Sequence, residues 1–295
     1  MMLALAATTL MTACSKDENE IDNWNGEIRL SSGVTVQQTR AGSVPDTQIA
    51  SGQQVGVFIN DAVAKTVVSA NLKYDTDGSG GLTLNANPAQ ETPYYPATGN
   101  AVNIIAYHPY NATAVITGGN TFEFTVEDNQ SSDPNYCKSD LLYSKKADSY
   151  GRQSTAHSLT FVHKLSKLTY ELVSGDGKPD VSGATVQWLN VKKTASFKAE
   201  DGTVGAASGN TATITPHATY GGAIIVPQTV NSGTQLLKVT LKDGGTLYYT
   251  PTSNQAFVSG SVYKYVITVN LTGLSVESIV TPWTTVGNRT GDATM

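Results

Sequence analysis

The sequence predicts an all-β protein built from β-sandwiches, and three observations carry that expectation. Short runs rich in Val, Ile, Thr, Tyr and Phe recur between clusters of Gly, Asn, Asp and Pro, as strands separated by turns do. No long amphipathic helical pattern interrupts them. Charged residues make up 15% of the chain, below the roughly 25% typical of soluble domains, which argues against a coiled coil and a charge-driven disordered chain. At 295 residues the chain is long enough for about two domains, each able to bury a core without a disulfide or metal.

The first element is an address. Leu3 to Met11 form a short apolar run that ends in Leu10-Met11-Thr12-Ala13-Cys14. An apolar run of that length followed by small residues reads as a secretory signal, residues 1–13, rather than a membrane helix. The Leu-x-x-Ala-Cys ending resembles a bacterial lipobox, which assigns Cys14 as the lipidation site. Ser15-Lys16-Asp17-Glu18-Asn19-Glu20 follows at once, an abrupt switch suited to a solvated tether over residues 14–26. A frayed strand with an incidental cysteine would not explain that switch. With Cys14 acylated, Cys137 is the one remaining thiol, a small and partly buried residue by expectation.

Next comes a period-two strand. Ile28, Leu30, Ser32, Val34 and Val36 share one face, and Arg29, Ser31, Gly33, Thr35 and Gln37 the other. Thr39-Arg40-Ala41-Gly42-Ser43 then reads as a small-residue loop, where an exposed arginine invites a trypsin-like protease. A cut there makes residues 27–40 a removable first strand. Losing it would expose unpaired backbone and an apolar groove. Burying its four aliphatic side chains is worth roughly 6–12 kcal/mol, comparable to a domain's net stability of about 5–15 kcal/mol. The vacancy would favour a replacement strand from another subunit.

The body continues with strands at Gln54-Val-Gly-Val-Phe-Ile59, Val102-Asn-Ile-Ile-Ala-Tyr107 and Thr121-Phe-Glu-Phe-Thr-Val126. Further strands follow at 167–173, 184–189, 223–226, 236–241, 246–249 and 262–271, with turns at Asp77-Gly78, Gly118-Gly119, Asp201-Gly202 and Asp243-Gly244. The polar stretch from Lys145 to Ser154 is the best junction, dividing an N-terminal sandwich of residues 27–152 from a C-terminal one of 153–295. At the far end Leu274, Val276, Ser278 and Val280 repeat the alternation of the first strand, with Ser278 matching Ser32.

Candidate chemistry is thin. His157 and His163 lie six residues apart and would share a strand face, but no third metal ligand or serine partner accompanies them. Asp75-Thr76-Asp77-Gly78 has Ala86 where a calcium loop needs Glu, so it reads as a hairpin turn. No phosphate loop and no Gly-x-Ser-x-Gly elbow occurs. Net charge is −5 without a basic stripe, which excludes nucleic acid as the expected partner. Neither cofactor, metal nor catalytic residue is expected. Tyr94-Tyr95 and Tyr107-His108-Pro109-Tyr110 could make a sugar-stacking platform, although tyrosine also suits sheet surfaces.

Taken in order, several blocks resemble the fimbrillin family (type V pilins) of Gram-negative surface lipoproteins. They are Thr39-Arg40-Ala41, Gln54-Val-Gly-Val-Phe58, Tyr94-Tyr-Pro-Ala-Thr-Gly99 with Ala106-Tyr107-His-Pro-Tyr110, Asp140-Leu-Leu-Tyr143, Phe161-Val-His163-Lys-Leu165, Ser261-Val-Tyr263-Lys-Tyr265 and Ile279-Val-Thr-Pro282-Trp283. The resemblance implies two tandem transthyretin-like Greek-key β-sandwich domains and export to the outer membrane as a lipoprotein. It implies cleavage between Arg40 and Ala41, with release of the strand bearing Ile28, Leu30, Ser32, Val34 and Val36. It also implies a donor strand running through Leu274, Val276, Ser278, Val280 and Trp283. The expected function is a non-enzymatic structural subunit of a surface fimbria that supports adhesion, with copies of itself or related fimbrial subunits as partners. The alternative is a monomeric surface lipoprotein of tip or anchor type, binding a glycan or host ligand through its tyrosine-rich loops.

Overall fold

The computed structural model describes residues 24–34, 48–146 and 148–283. Within them the chain is almost wholly β, with a single six-residue helix, α1 (Asp133–Lys138). Cys14, Val36, Arg40 and Ala41 lie outside the described residues.

One sheet has seven strands in the order β1-β8-β7-β5-β2-β3-β4. These are β1 (Leu30–Val34), β2 (Gln54–Asp61), β3 (Val67–Thr76), β4 (Leu82–Leu84), β5 (Val102–His108), β7 (Leu142–Lys145) and β8 (His157–His163). The sheet buries both faces. Val55, Val57 and Ile59 of β2 join Ile104, Ala106, Leu142, Leu159 and Phe161 in one core. Phe58, Ile105 and Tyr107, one residue out of phase, join a second, larger core. A near-continuous apolar run such as Val55 to Ile59 is what a strand covered on both sides requires. Gly56 lies on the second face, where a Cβ would overlap the Tyr107 ring.

The rest of the chain builds a second set of strands. β11 (Thr203–Ile214), β10 (Thr185–Lys198), β14 (Leu237–Thr240) and β15 (Thr246–Tyr249) form one sheet. β12 (Gly222–Ile225), β9 (Ser166–Ser174), β17 (Ser261–Asn270) and β18 (Gly273–Pro282) form another. β13 (Gln228–Val230) and β16 (Gln255–Phe257) pair alone. Trp188 and Tyr265, one from each four-strand path, meet edge to face at 4.9 Å inside the larger core.

Two features bear on how the two halves of the chain meet. The junction expected at 152/153 does not mark where sheet membership changes. β8 follows it in sequence, yet pairs with β7 and β1, so the change comes after His163. The polar Lys145–Ser154 stretch is instead the connection between two neighbouring strands of one sheet. The halves also share a core. β6 (Phe122–Thr125), from the first half, pairs with β10 from Thr194↔Thr125 to Phe197↔Phe122. Phe197 consequently packs on Phe122, Tyr143 and Tyr107, with ring centroids 5.5, 6.1 and 6.3 Å away.

Candidate functional site

The site to weigh is the slot that β1 fills. Its buried row is Ile28, Leu30 and Val34, at 4%, 5% and 9% exposure, with Ser32 half-buried between them. This is the alternation expected of the first strand, and it enters the core beside Leu159 and Phe161.

β1 is paired on both edges. On one it runs parallel to β8, from Leu30↔His157 to Val34↔Phe161. On the other, Ser31 bridges Gly81, and the Ser32 N–H donates to the Gly80 carbonyl at 2.7 Å. The seven-stranded sheet thus curls until β8 and the β3–β4 turn face each other across β1. A parallel neighbour needs no hairpin to hold it, so β1 is tied to β8 by pairing and side-chain burial, not by a tight turn.

The β3–β4 turn is the stretch weighed as a calcium loop. It is a hairpin in which the Asp77 carboxylate accepts from the Ser79 and Gly81 amides at 2.7 and 2.9 Å. Those two bonds hold the carboxyl below its ordinary range. The turn aims the Gly80 and Gly81 backbone at β1. Gly80 has φ +99°, and a Cβ there would stand 2.8 Å from the Ser32 carbonyl oxygen. Gly80→Ala is therefore expected to destabilise the uncleaved chain by roughly 1–3 kcal/mol. Urea unfolding checks this, and an unchanged midpoint would mean that β1 does not press on this turn.

Ahead of β1, Trp24 is clamped. The Arg152 guanidinium lies 4.7 Å from its ring centroid, Tyr95 meets it edge-on at 6.1 Å, and the indole N–H donates to the Glu27 carbonyl at 2.9 Å. Tyr95 in turn shares a hydrogen bond with His157.

The candidate donor, β18, is an edge strand. It pairs antiparallel with β17 through ten register pairs, from Asn270↔Gly273 to Ser261↔Pro282. Leu274 and Val276 pack against the larger core, but Ser278 is exposed, and so is Val280 at 54%. The row expected to be inner is half-buried at Leu274 and Val276 and exposed at Ser278 and Val280. Ile279, on the opposite phase, is 57% exposed. Trp283 is buried just beyond the strand, stacked on His163 at 3.8 Å with 5° between the rings.

The four histidines are held as structural groups. His108 lies between the Gln54 and Cys137 carbonyls, and burial lowers its pKa. His157 and His163 do share the inner row of β8 with Leu159 and Phe161, but at opposite ends, against Tyr95 and Asp140 respectively. His217 contacts Asp133 at 3.0 Å and stacks on Tyr220. Among the described residues no three His, Cys, Asp or Glu side chains gather as a metal site. Burial pushes the Cys137 thiol up to about 11, so it is protonated at neutral pH. The tyrosine platform does not form, since Tyr95, Tyr107 and His108 are core residues and only Tyr94 of the block is strongly exposed.

Comparison with known proteins gives one consistent picture. Residues 39–283 match the family described as fimbrillin-like. A candidate fimbrium subunit of Bacteroides uniformis, Fim1C, is 28% identical over 309 aligned positions, covering 99% of this chain and 98% of that protein. A crystal structure of a candidate cell adhesion protein from Bacteroides uniformis superposes with TM-score 0.65 at 23% identity, covering 88% of this chain and 98% of that one. A candidate cell adhesion protein from Bacteroides ovatus gives 0.66 at 16% identity, covering 88% and 99%. These two solved structures share the fold.

Proposed function

The chain belongs to the fimbrillin-like family, and from that premise we propose that it is a structural subunit of a cell-surface fimbria that assembles by strand exchange. It is exported as a lipoprotein through Cys14, and a protease cuts between Arg40 and Ala41. The strand with Ile28, Leu30, Ser32, Val34 and Val36 leaves, and a strand from a neighbouring subunit takes its place. Leu274 to Trp283 of the neighbour is the donor. The finer fold assignment, two tandem transthyretin-like Greek-key sandwiches, is part of the same proposal, with the junction after His163.

One observation carries this reading. β1 is pinned between β8 and the Gly80–Gly81 backbone with an apolar row pointing inward, so its departure would leave two unpaired edges around an open core. Unpaired edges over apolar side chains recruit an extended segment. A replacement must present small or branched apolar residues at alternate positions. It must also let its backbone approach Gly80 as closely as Ser32 does.

A second reading draws on β18. Its full ladder with β17 and its buried Trp283 suit a subunit that keeps its last strand to itself. In that case the protein stands alone as a tip- or anchor-type adhesin for a glycan or host ligand.

The mature N-terminus of protein sheared from cells separates the two readings, taken with its migration on an unboiled gel. Assembly predicts a start at Ala41 and a ladder of high-mass bands. An acylated Cys14 start with one monomer band overturns the strand-exchange reading.

A further inference from the structure

We infer that Trp283 is a latch that holds β18 in the unassembled subunit and sets how fast it can be released as a donor. This rests on the strand-exchange reading above. None of the ten residues of β18 is fully buried, and Trp283, the residue after them, is 3% exposed. Leu274 and Val276 of β18 are half-buried, so among the described residues Trp283 is the most deeply buried side chain of this segment.

That indole is not held by its own sheet partner alone. Its amide donates to the Gly260 carbonyl at 2.6 Å, and its ring lies flat on His163, the last residue of β8. The imidazole is fixed in turn by Asp140, whose carboxylate lies 2.9 Å from Nδ1. Lys167 stands with its ammonium 5.8 Å from the indole centroid. The C-terminal strand is thus clasped to the far end of the strand that receives β1. Releasing β18 means unzipping an edge ladder and withdrawing Trp283 from this stack. The ladder can be remade residue by residue on a new partner, but the stack is lost at once. Withdrawing the indole exposes a large apolar ring surface to water in one step, whereas the ladder is given up residue by residue.

The test uses the full chain, cut by limited digestion with an arginine-specific protease, with ladder formation followed over time. Trp283→Ala is expected to assemble on the order of a hundredfold faster than the parent, given what truncating a buried aromatic costs. Trp283→Phe should fall between. A residue that merely stabilises the fold would lower the melting temperature of the uncut chain and leave the assembly rate alone, and that result overturns the latch. If Trp283→Ala does not fold, Trp283→Leu keeps an apolar plug without a flat ring, and should accelerate assembly less but in the same direction.

A second pair of substitutions isolates the underlying reading. Lys264 and Ile279 face each other across β17 and β18 and are both exposed, so Lys264→Cys with Ile279→Cys allows a disulfide that locks the strand. The oxidised form should not assemble, and reduction should restore it. Assembly of the locked form would remove β18 as the donor. A locked form that fails to assemble, alongside a Trp283→Ala chain at parental rate, sinks the latch alone. A parent chain that forms no ladder after cutting overturns both.

Discussion

Leu30→Ala lowers the stability of the uncut chain by about 2–5 kcal/mol and leaves the assembled fimbria unchanged. The first half follows from burial, since Leu30 is 5% exposed among apolar neighbours of the smaller core, and removing a buried leucine side chain costs its transfer free energy plus the cavity left behind. The second half follows from the proposal that β1 is absent from the mature subunit. An ordinary terminal strand would transmit the defect to every form of the protein. The comparison is a urea midpoint for the uncut chain beside the dissociation temperature of the cut, assembled ladder. Equal losses in both would show that Leu30 stays in the finished structure, and the removable-strand reading would then fail. Leu159→Ala, on the neighbouring β8 and 1% exposed, should weaken both forms, because the wall of the slot remains whatever strand fills it.

Arg40→Ala abolishes the ladder altogether while leaving the monomer folded. The expected effect is all or none, because β1 occupies its slot within the same chain. An intramolecular strand competes at an effective concentration in the millimolar range, far above that of a neighbouring subunit. Only cutting the connection allows β1 to be lost to solution. The variant should accumulate with its N-terminal segment intact and migrate as one band. A normal ladder from Arg40→Ala would mean either that another bond is cut or that β1 need not leave, and the N-terminal residue of the product distinguishes these. Arg29 and Arg152 are the alternatives nearest the slot. Each is engaged, Arg29 with Glu27 and Arg152 over Trp24, so neither offers an unencumbered loop.

Much of the fold was legible from residue patterns. Gln54 to Ile59, Val102 to Tyr107, Thr246 to Tyr249 and Val262 to Asn270 are strands because branched and aromatic residues crowd them and turn residues bound them. The Asp-Gly signals at 77, 201 and 243 all fall in hairpin turns. Where reading failed, the local signal was absent. β11 runs Thr-Val-Gly-Ala-Ala-Ser-Gly-Asn-Thr-Ala-Thr-Ile, too small and polar to announce a strand, and exists because β10 offers it a partner over twelve residues. β3 carries Asn71 and Lys73 among its apolar positions, and β13 and β16 are three residues each.

The sequence alone determined that the protein is a strand-rich chain with a period-two first segment. Its block order also marked the family. These are local properties, since alternation depends only on which side chains are neighbours along the chain. Only the tertiary structure decided that β8 belongs to the first sheet, that β6 crosses to β10, and that the two halves share one aromatic core. It alone placed Gly80 and Gly81 against β1, and set Trp283 on His163, 120 residues before it in the sequence. The physical reason is that strand pairing and ring stacking join residues by surface fit, and that fit is specified by the whole set of competing edges rather than by any one segment.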